Sequence, residues 1–184
     1  ENIGLCIYEL IMKILEVLTY YRPHVSGLTI YVERLSRALV EQGHEVTVLT
    51  SQYENQLPRR EKQHGVKVVR VPVAFRVSKG VIMPTFGLQA TKYARQADII
   101  HLHLPQFDAP GLALRGRLFG KPVVITYHCD LRLPEGGFNR MVDNVVKTMN
   151  QTAGRLASAV VTYTRDYGTN TPFLKQYLNQ KLHI

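Results

Sequence analysis

The sequence has 184 residues, of which 45% are hydrophobic and 20% charged, a composition that excludes a disordered chain and indicates one sizeable globular domain. No uninterrupted apolar run approaches the roughly 20 residues of a membrane-spanning helix. The formal net charge of +9 favours phosphate-bearing ligands or an anionic membrane surface, whereas nucleic acid is not expected because no nucleic-acid-binding motif is present.

Residues 1–11 are predicted to be an N-terminal extension of uncertain role, because the first strand begins at Met12. They are a poor secretory signal, since Glu9 interrupts their apolar run and no basic lead-in precedes it. Cys6 and Cys129 show neither metal-ligand spacing nor a disulfide framework, which favours free thiols in a cytoplasmic protein. Residues 12–184 are expected to form a single domain.

The chain is predicted to continue with a βαβ unit. The apolar residues 12–19 form its first strand, and a loop over residues 20–28 follows. A helix capped by Thr29 ends at Gly43, and residues 45–50 form the second strand. In an α/β fold such a loop lies at the carboxyl end of the first strand, where the helix points its unpaired N–H groups into the ligand crevice.

The next stretch is polar, and residues 52–65 are predicted to be a loop. Residues 66–71 are rich in β-forming residues and predict a further strand, which Pro72 either ends or places on an edge of the sheet. Pro84 and Thr85 are typical of the start of a helix.

Strands and helices alternate clearly in the second half of the chain. The predicted strands are residues 98–103, 122–126, 159–162 and the start of one at 181–184. The predicted helices are one capped by Asp108 and ending at Gly120, an amphipathic one over 141–153, and one over 172–178. This alternation predicts a Rossmann-like, doubly wound α/β fold with a mainly parallel sheet and helices on both faces.

Ligands of such a sheet bind beyond the carboxyl ends of its strands, so the residues that follow each strand are candidates for a binding site. The loop after the first strand supplies His24, Ser26 and Gly27. The later strands supply His103, Pro105 and Gln106, then Tyr127, His128, Cys129 and Asp130, then Tyr163, Thr164 and Arg165. Their convergence on one rim predicts a binding site there.

The individual candidates differ in strength. His101 lies inside a strand and is expected to be an ordinary packed or hydrogen-bonded histidine, whereas His103 is either structural or ligand-facing. His128 is the strongest candidate, because it directly follows an apolar strand and precedes Asp130. A thiol nucleophile at Cys129 is not favoured, because neighbours in an extended chain point to opposite sides.

Motifs for common cofactors are absent from the sequence. A metal site built on His101, His103 and His128 is conceivable, but their spacing matches no recognised ligand pattern. The sequence contains neither GxGxxG nor a P-loop. NAD binding is therefore rejected, and a stand-alone nucleotide-binding protein of another type ranks last among the functions considered.

Four stretches, taken together, carry a family resemblance: YYRPHVSGLTIYVERLSRALVEQGHEVTVLT, ADIIHLHLP, GKPVVITYHCDL and TPFL. In this order and spacing they resemble the N-terminal domain of family 4 retaining glycosyltransferases of the GT-B fold, which assemble bacterial lipids and polysaccharides. The resemblance implies one half of a two-domain enzyme, in which this half binds the acceptor glycan or lipid and a C-terminal half, absent here, holds the nucleotide-sugar. The isolated half is expected to be inactive, because half of the cleft is missing.

The resemblance also implies roles for single residues. His128 matches a histidine that hydrogen-bonds and orients the donor sugar. The residues expected near the donor diphosphate are Ser26, Gly27 and Leu28, with Ser26 standing where the family commonly has a glycine. The residues expected to bind the acceptor or other substrate groups are His24, His103 and Asp130. No metal or other cofactor is expected, because helix N-termini and basic side chains neutralise the leaving diphosphate.

A non-catalytic module that binds a membrane surface or a partner is the alternative function. The basic residues considered for it are Arg59, Arg60, Lys62, Arg76 and Lys79, and the neighbouring apolar residues are Val81, Ile82, Met83 and Phe86. A solvated basic loop beside a packed helix is the simpler interpretation of this segment. Both functions are compatible with a cytoplasmic protein that is peripheral on the cytoplasmic membrane face.

Overall fold

The computed structural model describes residues 10–77, 80–130 and 136–184. Most of the expected N-terminal extension, with Cys6, and the basic Lys79 lie outside these residues. The described strands are β1 (Lys13–Val17), β2 (Glu45–Gln52), β3 (Arg60–Gln63), β4 (Val66–Pro72), β5 (Phe75–Val77), β6 (Gly80–Ile82), β7 (Ile99–Leu104), β8 (Val123–Tyr127), β9 (Ala159–Val161) and β10 (Leu182–His183). The described helices are α1 (Gly27–Glu41), α2 (Phe86–Gln96), α3 (Ala109–Leu118), α4 (Gly137–Leu156), α5 (Arg165–Asn170) and α6 (Pro172–Lys175). Within this described part, no helix has the length and apolar character needed to cross a membrane.

Eight of these strands form one sheet in the order β10-β9-β8-β7-β1-β2-β4-β3. Its described pairings are parallel except that of β3 with β4, which is antiparallel. Strand β1 lies between β2 and β7, and the chain runs outward from it in both directions, as in a doubly wound fold. The predicted fold class is confirmed.

Helices cover both faces of the sheet, and each face has its own apolar core. Helix α1 packs on one face, where its Val32 joins Ile14 and Leu18 from β1 and the residue after it. Helices α2, α3, α4 and α6 pack on the other face, which contains the larger core. Because successive residues of a strand point to opposite faces, Glu16 shares the α1 face with Ile14, and it is fully buried there.

The start of α1 differs from the prediction. Ser26, and not Thr29, is the N-cap, and the helix begins at Gly27. The Thr29 amide donates to the Ser26 hydroxyl at 3.2 Å, and the Ser26 amide donates to the Thr29 hydroxyl at 2.8 Å. This reciprocal pair satisfies two backbone donors at the helix start, so Thr29 belongs to the cap as its third helical residue.

The loop predicted over residues 52–65 is wrong in its second part, where β3 forms the outer strand of the sheet. All four side chains of β3 are polar, so no apolar alternation marked it as a strand. The strand is held by its backbone pairing with β4, and Glu61 on it pairs with the buried guanidinium of Arg70. Strand β4 therefore lies inside the sheet, and Pro72 ends it and does not mark an edge.

The remaining predicted elements agree with the structure, except that α6 ends at Lys175, earlier than expected. The hairpin of β5 and β6 and the short helix α5 were not predicted. Residues 75–82 mix charged and apolar side chains without a regular period, which explains the first omission. The predicted strands and helices of the second half are confirmed as β7, α3, β8, α4, β9 and β10.

Candidate functional site

Three neighbouring strands bring polar side chains together near the carboxyl edge of the sheet. Alternation within β7 places His101 and His103 on the α1 face and leaves the aliphatic residues between them for the opposite core. The register pairs Glu16 of β1 with His101, and it pairs Thr126 of β8 with His103. Four polar side chains thus occupy adjacent positions on one face of three central strands.

Glu16 is the centre of a hydrogen-bonded cluster. Its Oε2 lies 3.0 Å from His101 Nδ1 and 2.6 Å from His103 Nε2. The other ring nitrogen of His101, Nε2, lies 2.8 Å from the Thr126 hydroxyl. Since Glu16 is 0% exposed and His103 is 1% exposed, water cannot satisfy this carboxylate, and the two ring N–H groups do so instead.

The cluster extends from the buried carboxylate to the rim of the sheet. His103 Nδ1 lies 3.0 Å from His128 Nε2, and His128 Nδ1 is hydrogen-bonded to the hydroxyl of Tyr163. Tyr31 of α1 packs edge-on against His128 and Tyr163, with ring centroids 5.2 and 5.5 Å apart. Tyr163 is 48% exposed, so a line of hydrogen bonds connects the interior of the domain to its surface.

Burial and neighbouring groups set the protonation of this cluster. Burial by itself raises the pKa of Glu16, but the neighbouring His101 and the hydrogen bonds from His101 and His103 outweigh burial and hold the pKa below its ordinary value. Burial, reinforced by His101, lowers the pKa of His103, although Glu16 opposes that shift. Burial, with His103 and His101, lowers the pKa of His128 to about 3. At neutral pH, Glu16 is therefore a carboxylate, and His103 and His128 are neutral.

Two residues predicted to bind substrate, His24 and Asp130, contact aromatic side chains outside the Glu16 cluster. His24 stacks on Tyr20 with ring centroids 5.0 Å apart and packs edge-on against Tyr53 at 5.9 Å. Asp130 accepts a hydrogen bond of 2.8 Å from the hydroxyl of Tyr127. The cluster therefore includes His103 among the three residues predicted to bind the acceptor or substrate, and a substrate role for His24 and Asp130 stays a prediction.

The loop predicted to approach the donor diphosphate forms the first turn of α1. The amides of Gly27 and Leu28 precede the first backbone bond of the helix, which Ile30 donates to the Ser26 carbonyl at 3.0 Å. A Cβ placed on Gly27 would meet no atom within 4 Å, so the space beside this turn is open. The geometry is suited to an anion, and the predicted role of Ser26, Gly27 and Leu28 stays a prediction.

Glu16, Tyr31 and Thr126 belong to the cluster and were not predicted. The available signal was a charged residue among the apolar neighbours of β1, together with the alternation of histidine and aliphatic residues in β7. Linking the two required the register that pairs Glu16 with His101, 85 positions later in the chain. That register is a property of the tertiary structure, and no local pattern contains it.

The ligand atoms of Glu16, His101 and His103 all lie within 4.8 Å of one another, which makes them the candidate metal ligands in the described part of the chain. Two ligands on one zinc ion, with bonds of about 2.0 Å at tetrahedral angles, lie about 3.3 Å apart. The 2.6 Å between His103 Nε2 and Glu16 Oε2 is shorter and suits a direct hydrogen bond. The expectation that the site uses no metal stays a prediction.

The apolar segment considered for a membrane surface is largely inside the protein. Val81, Met83 and Phe86 are 8%, 8% and 7% exposed and belong to the larger core. The hairpin of β5 and β6, with the start of α2, brings these three side chains onto the sheet, so they form no exposed apolar surface beside the basic residues, in agreement with the simpler interpretation of a packed segment.

A cavity of about 730 Å³ lies elsewhere, at the amino ends of β1 and β2. Lys13, His44, Lys67 and Tyr93 are among its lining residues, and none of them belongs to the Glu16 cluster. The Glu16 cluster and this cavity therefore lie at opposite ends of the sheet.

A family model described as a glycosyl transferase 4-like domain matches residues 26–170 of this chain. The match includes α1 with its N-cap, both histidines of β7, His128 and Tyr163. Glu16 lies before its first residue.

Two curated relatives are also glycosyltransferases. The GPI3 subunit of phosphatidylinositol N-acetylglucosaminyltransferase from Saccharomyces cerevisiae is 30% identical over 115 residues, which are 59% of this chain and 25% of the relative. GDP-mannose:cellobiosyl-diphosphopolyprenol alpha-mannosyltransferase from Xanthomonas campestris is 26% identical over 169 residues, which are 85% of this chain and 41% of the relative. The chain thus spans less than half the length of either relative.

Solved structures agree in fold. The Anabaena protein HepE, crystallised in complex with UDP and glucose, superposes with a TM-score of 0.59 at 15% identity, over 90% of this chain and 41% of HepE. The likeness in fold extends over nearly the whole of this chain and covers less than half of HepE.

Proposed function

We propose, because this chain belongs to the family of glycosyl transferase 4-like domains, that it is the acceptor-binding N-terminal half of a retaining glycosyltransferase. The complete enzyme would move a hexose from a nucleotide-diphosphate sugar to a lipid-linked or polysaccharide acceptor. The observation that carries the proposal is the position of His128, which directly follows the buried strand β8 at the carboxyl edge. It lies next to Tyr31 of the helix whose first turn is open to an anion.

The names of the relatives support the classes of substrate. The Xanthomonas enzyme is named for a GDP-mannose donor and a diphosphopolyprenol-linked acceptor, and the yeast enzyme for a phosphatidylinositol acceptor. HepE was crystallised with UDP and glucose. A nucleotide-sugar donor and a lipid-bearing acceptor are therefore the substrates to test first. Since the yeast relative is named as a subunit, a protein partner is a further proposal.

His128 is suited to orienting a sugar by hydrogen bonds. A histidine whose pKa is lowered to about 3 is a weak base and stays neutral at physiological pH, so abstraction of a proton is a poor role for it. A neutral imidazole can hold a sugar hydroxyl in place while the bond to the leaving diphosphate breaks. The first amides of α1, at Gly27 and Leu28, would face the negative charge that develops on that diphosphate.

In this proposal, this chain provides the acceptor-binding surface, and a second domain provides most of the donor site. Tyr20, His24 and Tyr53 pack together after the carboxyl ends of β1 and β2, and we expect the partly exposed side chains of Tyr20 and His24 to contact an acceptor sugar. We expect the isolated chain to bind an acceptor and to transfer sugar slowly or not at all.

The test compares acceptor and donor on the 184-residue chain. NMR titration with a short-chain diphosphopolyprenol disaccharide should shift the resonances of His24 and Asp130 at lower concentrations than UDP-glucose or GDP-mannose. When the chain is mixed with both acceptor and sugar nucleotide, nucleoside diphosphate should be released no faster than without protein. Rapid release by the chain alone would overturn the half-site proposal, and tighter binding of the sugar nucleotides would overturn the assignment to the acceptor.

In a longer protein that carries this chain and a donor domain, His128→Ala should lower turnover by at least about tenfold if the imidazole contacts the transition state. His183→Ala, at an exposed position of β10, is the matched control and should leave turnover unchanged. An unchanged rate in the His128 variant would remove this residue from the site.

Attachment to an anionic membrane surface is a second proposal, favoured by the exposed basic residues of the β3 edge. Arg59, Arg60 and Lys62 are all exposed there, and each suitably placed cation contributes about 1 kcal/mol of attraction to anionic lipid. Co-sedimentation with phosphatidylserine vesicles at low and physiological salt tests it. Absence of lipid-dependent pelleting at either salt would reject it.

A further inference from the structure

We propose that Glu16 and His103 are positioning residues for His128: their hydrogen bonds fix the tautomer of His128 with its proton on Nε2, so that Nδ1 faces the crevice as a hydrogen-bond acceptor for a substrate hydroxyl. The tautomer assignment is independent of the reaction that the protein catalyses. The identity of the hydroxyl as part of a sugar rests on the proposed function.

The assignment of protons to the ring nitrogens begins at Glu16. An ionised carboxylate has no proton to donate, so both ring nitrogens that face it carry N–H groups. These are His101 Nδ1, at 3.0 Å, and His103 Nε2, at 2.6 Å. Full burial removes water as an alternative partner for Glu16, and the direction of both bonds is therefore fixed.

The next bond follows from the first. A neutral imidazole has one proton, and His103 uses it on Nε2 toward Glu16. His103 Nδ1 is then an acceptor, and the atom facing it at 3.0 Å, His128 Nε2, must be the donor. Because His128 is neutral as well, its Nδ1 is left with a lone pair.

Tyr163 occupies the acceptor position that this order creates. Its hydroxyl is hydrogen-bonded to His128 Nδ1, and burial, with Tyr31 and Cys129 nearby, raises the pKa of this phenol, so that it keeps its proton for donation. The tyrosine is 48% exposed and follows a short strand, so a substrate hydroxyl can take its place by exchanging one O–H donor for another.

His101 forms a side branch that does not reach His128. It donates from Nδ1 to Glu16, and its Nε2 lies 2.8 Å from the Thr126 hydroxyl. The branch provides a matched control, because Thr126→Val removes a hydrogen bond of the cluster and leaves the line from Glu16 through His103 to His128 intact.

The order of protons makes a prediction about selectivity. An acceptor at Nδ1 binds an O–H group and leaves an ether oxygen at the same place unbound. A substrate in which the contacting hydroxyl is methylated or removed should therefore lose affinity, by tenfold or more if the contact is buried. The opposite tautomer would present an N–H group, which would donate a hydrogen bond to the ether oxygen.

The experiment reads the tautomers directly in the 184-residue chain labelled with ¹⁵N at histidine. Long-range ¹H–¹⁵N spectra between pH 6 and pH 8 should show Nε2 of His128 protonated and Nδ1 unprotonated, with the same pattern for His103. A protonated Nδ1 on His128 in the unsubstituted protein would overturn the proposal, and this measurement requires no variant to fold.

The role of His103 is tested by a pair of variants. His103→Leu removes the acceptor that faces His128 Nε2 and should make the Nδ1-protonated tautomer detectable at His128. His103→Gln provides an amide that can donate toward Glu16 and accept from His128, and it should retain the single tautomer. Thr126→Val should also retain it. An unchanged His128 pattern in folded His103→Leu would overturn the positioning role.

Discussion

The two faces of strands β1 and β7 differ in chemistry although they share one backbone. On one face Leu15, Leu102 and their neighbours pack in the larger core, and on the other Glu16, His101 and His103 form hydrogen bonds to one another. Both sets are almost completely buried. The comparison shows that burial serves stability on the first face, whereas on the second it controls the protonation and direction of polar groups.

The largest expected effect comes from weakening the aliphatic face. Leu102→Ala should reduce the free energy of unfolding by about 2–5 kcal/mol, because it leaves a cavity at a position that is 0% exposed. Urea denaturation followed by circular dichroism measures the loss. Leu114→Ala, at a position 48% exposed on α3, should change the same quantity by no more than about 0.5 kcal/mol. Equal losses would contradict the assignment of the core to the face that carries Leu102.

The polar face should respond less to a substitution that keeps its shape. Glu16→Gln preserves the volume but removes the charge that strengthens two hydrogen bonds, and we expect a loss of about 1–3 kcal/mol. Glu33→Gln is the matched control, because Glu33 pairs with Arg22 at a partly exposed position and should lose less than about 1 kcal/mol. A more stable Glu16 variant would show that the charge is not favourable in the folded state.

Acidification should weaken the polar face, whereas protonation of Asp108 at the start of α3, whose pKa burial raises to about 6, acts in the opposite direction. The pKa values of His103 and His128 are lower in the folded protein than the ordinary value of about 6.5, so the unfolded chain binds more protons once the pH falls below that value. Stability should decline below about pH 6.5 by up to about 1.4 kcal/mol per pH unit for each of these histidines. Glu16, whose pKa is also lowered, adds a loss only at still lower pH, below the pKa of an unfolded glutamate.

Urea unfolding at pH 5, 6 and 7 measures this decline. His128→Gln should flatten the profile, because it removes one of the two titrating groups. His183→Gln, at an exposed position, is the control and should leave the profile of the unsubstituted chain in place. Identical profiles for the His128 variant and the unsubstituted chain would contradict the lowered pKa.

The smallest effect is expected at the rim. Tyr163→Phe removes the hydroxyl that donates to His128 Nδ1, but the ring is 48% exposed and water can replace the lost donor. The free energy of unfolding should change by less than about 0.5 kcal/mol. A loss comparable to that of Glu16→Gln would mean that Tyr163 is a structural member of the cluster, and that a substrate hydroxyl does not replace it.

Most of the fold could be predicted from the sequence, because its evidence is local. The strand and helix limits in the second half followed from apolar periods and from the residues that begin and end helices, such as Asp108 and Gly120. The exceptions are elements whose evidence lies elsewhere. Strand β3 has four polar side chains and is held by its pairing with β4.

Only part of the candidate site was predictable from the sequence: His103 and His128 were named as candidates, whereas Glu16, Tyr31 and Thr126 were not. His128 could be found because it follows an apolar strand directly. Glu16 could not be linked to it, because the link passes through the alignment of β1 with β7 and through the ring of His103. A search for charged residues inside apolar strands would have found Glu16, but only the register of β1 with β7 places it opposite His101.

The antiparallel strand β3 has one more consequence, for self-association. It closes the side of the sheet beyond β4 with a short row that carries Arg60 and Lys62 as exposed cations. A second copy whose β3 paired with this row so that Arg60 faced Lys62 would bring like charges together, and repulsion would oppose that pairing. We therefore expect these two exposed cations to oppose aggregation at this edge strand.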